Sequence, residues 1–265
     1  MWCDIGVNLF SSQYDADRDA VIARAKSAGV SHAILIGSDI AESQLNLQFC
    51  QQHSSCFTTA GVHPHQAAAV GDEWLQQLTT LLNANQVVAV GECGLDFNRD
   101  FSPRAVQQQI FAAQLQLAST LDKPVYLHER DAFDTQIAML QEQRISRGVA
   151  HCFTGDTTQL KAYLDLGLYI GITGWLCDER RGDALRQALQ FLPLDRILLE
   201  TDAPYLLPRD IKPKPSSRRN EPAFLTHIAH TVAQLRHIDI AALAEHCRTN
   251  TQQLFQVNPT TQGAN

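Results

Sequence analysis

Paired cysteines are missing from this chain. Its seven cysteines are scattered, odd in number and nowhere spaced as Cys-x-x-Cys, which fits reduced, buried thiols better than a disulfide framework or a sulfur-ligated zinc. Also missing are an uninterrupted apolar run of about 18 residues and a signal-like N-terminus, so the expectation is a cytoplasmic protein with no membrane partner. No internal repeat, low-complexity tract or Gly/Ser-rich linker breaks the chain. At 265 residues it is expected to form one domain over 1–265, with a frayed tail from about residue 257. Basic charge is in deficit. A net charge of -7 argues against a nonspecific DNA coat protein, although a local basic surface on an acidic protein still holds phosphates. With an acidic surface and no extra apolar element, a monomer is expected.

What is present begins with the run Arg196-Ile-Leu-Leu-Glu200-Thr-Asp202-Ala-Pro204. Apolar residues lead into two carboxylates, and Pro204 stops the ladder, so a buried strand ends where its acids begin. Strand alternation places Glu200 and Asp202 on one side and Thr201 on the other. Upstream, short apolar runs alternate with helical patterns: Cys3–Asn8, His32–Ile36, Phe57–Val62, Val87–Glu92, Val125–His128, Gly148–His151 and Tyr169–Ile172 precede the eighth strand. Ser102-Pro103 predicts a helix with proline at its first position, running to about Asp122. Eight strands with intervening helices predict a closed (β/α)8 TIM barrel, and a doubly wound open sheet is the alternative.

In such a fold, strand ends face the site. Glu92, His128, His151 and Asp202 end the fourth, fifth, sixth and eighth strands, so four nitrogen and oxygen donors converge on one mouth. Alternation turns Cys93 and Cys152 away from that face, leaving a site without sulfur. Any one of these residues alone reads as a hydrogen-bonded core residue; four together point to a divalent metal, with zinc, manganese, iron and magnesium all compatible. Pro64 holds His63 extended at the end of the third strand, where it would meet a phosphate or a leaving group; His65 is the weaker candidate. Arg209, Lys212, Lys214, Arg218 and Arg219 crowd one loop, and Arg130 follows the fifth strand. Arginine forks on that rim would grip a polyanion, whereas an ordinary solvated surface is the plainer reading of any basic loop alone.

These residues fall in recognisable strings. Gly-Val-His-Pro-His at 61–65, Gly-Glu-Cys-Gly-Leu-Asp at 91–96, His128-x-Arg-Asp131, His151-Cys-Phe-Thr-Gly155 and Glu200-Thr-Asp-Ala-Pro-Tyr205 resemble the TatD family of metal-dependent deoxyribonucleases, in order from Asp4 to about Phe255. The resemblance implies a TIM barrel, a divalent metal on Glu92, His128, His151 and Asp202, and hydrolysis of DNA phosphodiesters, 3′ to 5′ from single-stranded ends. It implies RNA as a further substrate and a part in DNA repair. One departure stands out. Where most relatives carry His-x-His at the end of the first strand, this chain has Gly6 and Asn8. A second cation would then rest on carboxylates and water, with Glu200 or Asn8 orienting it, so one well-held site occupied by Mg2+, with Mn2+ or Zn2+ as substitutes, is expected.

The mechanism this predicts uses Asp202, Glu92 and His63 as catalytic residues, with Asp202 accepting a proton, and has His63, Arg130, Arg209, Arg218 and Arg219 bind the substrate. A metal-dependent hydrolase of an ester or amide, such as D-aminoacyl-tRNA, would use the same ligands. A barrel that serves only as a binding partner would leave the acids and imidazoles unexplained.

Overall fold

The computed structural model describes residues 1–257. Its strands are β1 (Trp2–Val7), β2 (Val30–Leu35), β3 (Cys56–Ala60), β4 (Val87–Asp96), β5 (Val125–Arg130), β6 (Gly148–Ala150), β7 (Tyr169–Ile172) and β8 (Ile197–Leu199). The helices are α1 (Arg18–Ser27), α2 (Ile40–Gln52), α3 (Trp74–Leu82), α4 (Arg104–Thr120), α5 (Phe133–Glu142), α6 (Thr157–Asp165), α7 (Asp183–Leu189), α8 (Leu225–Leu235) and α9 (Ile240–Phe255). The eight strands follow one another in the sheet in chain order. That order is the (β/α)8 arrangement; a doubly wound sheet would reverse at a switch point.

Contacts divide the chain into two compact units. The first gathers residues 1–35, 152–161 and 170 onward, and in it the last strand returns to the first. Val7 forms a parallel bridge with Ala203, Asn8 N–H donates to Ala203 O at 2.8 Å, and Asp202 N–H donates to Gly6 O at 2.9 Å. Asp4 ties the same join. Its buried carboxyl group accepts Gly6 N–H at 3.2 Å and Thr201 N–H at 2.9 Å, and its other oxygen lies 2.5 Å from the Thr201 hydroxyl. Behind it, α9 starts at an Asp239 cap that accepts from Ala241 and Ala242 N–H, and Asn250 donates to Leu194 O and Ile197 O.

The second unit holds residues 36–151 and 162–169. Helix α2 is fixed at its start by Asp39, which accepts Glu42 N–H, while Glu42 reaches back to Ser38 N–H, the reciprocal pattern that satisfies orphan helix donors. Strand β4 is buried along all ten residues and runs to Asp96, four residues past the expected stop at Glu92. Two glycines permit this. A Cβ on Gly94, at φ +145°, would meet His128 O at 1.9 Å, and one on Gly91 would meet Tyr126 O at 2.2 Å, so β5 can lie close only against bare backbone. Buried glutamines from the helices satisfy the strand ends: Gln107 with Asp96 N–H and C=O, Gln114 with Val62 N–H and C=O, and Gln136 with Leu95 N–H.

Two local expectations are corrected. Pro103 is the residue before α4, not its first helical position, and Ser102 instead accepts Ala68 N–H and donates to His65 O. Strand β8 ends at Leu199 and Asp202 has φ +54°, so alternation no longer decides which way residues 200–202 point. Of the tail expected to fray, Val257 is buried; 258–265 lie outside the described residues.

Candidate metal centre

Within the second unit, one carboxylate oxygen is ringed by imidazoles. Glu92 Oε1 lies 3.0 Å from His128 Nδ1, 3.5 Å from His151 Nε2 and 3.7 Å from His63 Nε2. Main-chain hydrogen bonds anchor Glu92 on β4, His151 just past the end of β6 and His63 just past β3. Glu92 N–H donates to Gly37 O, His151 N–H to Leu127 O and His63 N–H to Ser38 O. His63 is extended at φ -62°, ψ 146°, immediately before a 3-10 turn over Pro64–Ala69, as the following proline requires.

The far ring nitrogens decide what each imidazole offers. His63 Nδ1 accepts His65 N–H at 3.1 Å, so neutral His63 carries its proton at Nε2 and acts there as a donor. His151 Nδ1 is bonded to the buried Tyr126 hydroxyl at 2.8 Å, which orients the ring with Nε2 toward Glu92. His128 Nε2 is buried and, among the described residues, has no hydrogen-bond partner; Asp96 Oδ2 stands 3.6 Å away, beyond bonding distance.

Asp96 is the residue that the strand-end reading missed. Once the strand is carried four residues further, His128 links Asp96 to Glu92: that ring's Nδ1 meets Glu92 Oε1 at 3.0 Å and its Nε2 stands 3.6 Å from Asp96 Oδ2. Asp96 Oδ1 accepts Asn98 N–H and Arg99 N–H at 2.9 and 2.8 Å, and Oδ2 lies 2.6 Å from His65 Nε2. His65, the weaker candidate, is thus held by a buried acid.

Charge follows this geometry. Burial alone would raise Glu92, but His63, His128 and His151 bring it well below the usual carboxylate range. Burial likewise opposes Asp96 ionisation and is outweighed by His128, the Asn98–Arg99 turn and His65. Burial pushes His63 down to about 3, leaving it neutral. His128 goes the other way, up to about 9, because Asp96 and Glu92 outweigh its burial.

Such a cluster wants a cation. Ligand atoms of His63, Glu92 and His128 lie within 4.8 Å of one another, a buried imidazole nitrogen is unmatched, and the donors are nitrogen and oxygen only. This set fits a divalent metal. Cys93 offers no sulfur ligand, since its thiol turns to Val90 O and Tyr126 O; Cys152, also expected to turn away, instead has its sulfur within 4.8 Å of an Asp202 carboxylate oxygen in the first unit.

Other expected site residues lie in the first unit. Asn8 Nδ2 donates to Asp202 Oδ1 at 2.8 Å. Glu200 is fully buried and accepts Cys152 N–H at 2.6 Å. Arg219 is committed to Asp17 at 2.7 Å, Glu221 at 2.7 Å and Gln13 O at 2.8 Å, and its guanidinium lies over the Tyr14 ring. Arg209 Nε approaches Glu179 at 3.7 Å and Asp178 at 3.8 Å. Trp175 is covered by the Arg181 guanidinium at 4.2 Å. Arg218 is exposed there, and Arg130, at the end of β5 in the second unit, is exposed as well.

A (β/α)8 scaffold with a buried His/Glu cluster at the ends of its strands defines a metal-dependent hydrolase of the TIM-barrel class. The profile described as TatD related DNase matches residues 3–256, and the chain belongs to that family. It is 50% identical over 257 residues to the 3'-5' ssDNA/RNA exonuclease TatD of Klebsiella pneumoniae, covering 96% of this chain and 98% of the relative. The protein of the same name from Salmonella typhimurium is 49% identical over 256 residues, with 96% and 98% covered. Among solved structures, a TatD homologue from Escherichia coli K12 matches with TM-score 0.88 at 29% identity, covering 97% of this chain and 98% of that one. A TatD family hydrolase from Entamoeba histolytica matches with TM-score 0.86 at 25% identity, covering 96% and 97%. Among the described residues no helix is long and apolar enough to cross a membrane.

Proposed function

We propose that this chain is a divalent-metal-dependent exonuclease that shortens single-stranded DNA and RNA from the 3′ end. The observation that carries the reading is the 50% identity, over 96% of the chain, to a relative named for that activity; the imidazole-ringed Glu92 supplies the chemistry. In this reading Glu92, His128, His151 and Asp202 hold the metal, and the chain acts as one hydrolase domain.

A bound divalent cation supplies Lewis acidity at a phosphoryl oxygen and a water of lowered pKa. His63, neutral with its proton at Nε2, donates a hydrogen bond to a phosphoryl oxygen of the substrate. Asp202, oriented through Oδ1 by Asn8, accepts the proton of the attacking water. Glu200 braces the loop through Cys152 N–H. Arg130, Arg209 and Arg218 grip flanking phosphates, whereas Arg219, whose fork is taken by Asp17 and Glu221, keeps that basic loop in place. With Gly6 and Asn8 replacing an imidazole pair, the resident cation is Mg2+, and a second cation would be weakly held.

The test follows a 5′-labelled single-stranded oligonucleotide with Mg2+ or with EDTA, beside Asp202→Asn. A metal-dependent ladder shortening from the 3′ end is expected, slowed at least about 10²-fold in the variant. No cleavage under any divalent metal, or near-parental cleavage by Asp202→Asn, overturns the assignment.

A further inference from the structure

Away from the nitrogen and oxygen cluster, three donors of different kinds meet inside the first unit. Cys177 closes the 3-10 turn Gly174–Cys177 that follows β7, Asp210 lies in the loop after β8, and His227 is in the first turn of α8. The thiol sulfur, a carboxylate oxygen and a ring nitrogen lie within 4.8 Å of one another, and His227 Nε2 stands 2.7 Å from Asp210 Oδ1. We propose that Cys177, Asp210 and His227 are the protein ligands of an additional metal site, selective for a borderline-soft divalent cation such as zinc.

The plainer alternative is a solvated ion pair beside a buried core thiol. Three observations favour the site. First, the spacing is close to that of a tetrahedral centre: with Zn–S near 2.3 Å and Zn–N or Zn–O near 2.0 Å, ligand atoms are roughly 3.3–3.5 Å apart. The carboxylate and imidazole, at 2.7 Å, need to part, and the sulfur already lies within 4.8 Å of both. Second, the thiol has poor alternatives. Cys177 is 4% exposed, and its hydrogen bond is a long one to the Thr231 hydroxyl, 3.7 Å. Third, the site is open on one side, since the His227 and Asp210 side chains are 30% and 47% exposed, which gives a cation its path and a water the fourth position.

Burial, reinforced by the charge of Asp210 and only partly opposed by the Thr231 hydrogen bond, leaves the Cys177 thiol pushed up to about 12, so the thiol keeps its proton until a cation arrives. Binding then exchanges that proton for the metal: the S–H bond breaks, the sulfur lone pair goes to the cation and the proton goes to solvent. Thiolate selects zinc over magnesium, so this site and the Glu92 cluster take different ions. Its consequence is mechanical. A cation would staple the loop that carries Arg209, Lys212 and Lys214 to α8 and to the turn after β7.

The experiment uses the metal-stripped full-length protein titrated with Co2+ as the probe. A near-ultraviolet thiolate-to-cobalt charge-transfer band is expected, bleached when Zn2+ is added and retained in Cys152→Ser. Cys177→Ser should lose the band. Because a buried substitution could compromise folding, Asp210→Asn and His227→Gln, both at the surface, provide the second arm: each should keep the native circular dichroism and weaken Co2+ binding at that band at least about 10-fold. Absence of the band in the parent, its persistence in Cys177→Ser, or undiminished affinity in His227→Gln overturns the proposal.

Discussion

At the scale of single residues, Asp96 carries the most testable consequence. It is 1% exposed, yet both of its oxygens are spoken for, one by two backbone N–H groups and the other by His65. It also stands 3.6 Å from the unmatched His128 nitrogen. A carboxylate so placed orients imidazoles that approach a metal and makes them more basic. Asp96→Asn preserves the acceptor for the Asn98 and Arg99 turn, removes the charge and puts an amide where His65 now meets a carboxylate oxygen. We expect Mg2+ affinity, read by calorimetry, to fall about 10- to 100-fold with the circular dichroism unchanged. Unaltered affinity would reduce Asp96 to a turn-forming residue. Glu92, His128 and His151 were legible because each closes an apolar run. Asp96 was not, because the Gly91-Glu-Cys-Gly94 that precedes it reads as a strand stop when only propensity is weighed.

At the scale of elements, β4 shows why that reading failed. Glycine weakens an isolated strand, but here Gly91 and Gly94 are the condition for β4 to continue, since β5 carbonyls occupy the space a Cβ needs. Gly94→Ala is expected to destabilise the protein by more than about 2 kcal/mol, through the clash with His128 O and the unfavourable positive φ, and to displace His128 with it. Urea unfolding monitored by circular dichroism measures this; a midpoint within error of the parent would show that the strand can yield. The same element exposes a second blind spot. Gln107 and Gln114 fall on α4 and Gln136 on α5, and a glutamine on a helix ordinarily signals a solvated face. Only tertiary structure shows them turned inward to satisfy the ends of β3 and β4. Cys177, Asp210 and His227 escaped notice for a related reason: their positions, 33 and 17 residues apart, match no local metal motif.

At the scale of the whole molecule, strand count and order followed from apolar runs separated by helical patterns, because a parallel strand buried on both faces leaves that mark in any sequence. The join of first and last strands left no such mark. It depends on Asp4, a charged residue type that is almost never fully buried without a partner, and whose partner, Thr201, is at the other end of the chain. Burial raises the Asp4 carboxyl to about 8, and the Thr201 and Gly6 donors only partly oppose it. The folded state therefore binds a proton there that the unfolded state releases near pH 4. Between about pH 4 and about pH 8 the folded chain holds more protons at this group, so its contribution to stability is complete below that window and is lost as pH rises through it. Asp96 and Glu92, held low, act oppositely, with stability lost only as pH falls through their depressed values. Asp4→Asn replaces the titrating oxygen with an amide that can donate to the Thr201 hydroxyl while still accepting Gly6 and Thr201 N–H. Urea unfolding free energies measured across neutral pH should decline with rising pH in the parent and run flatter in Asp4→Asn. If the two slopes coincide, Asp4 is ionised in the folded state and the strand join is held by an anion among three donors, not by a shared proton.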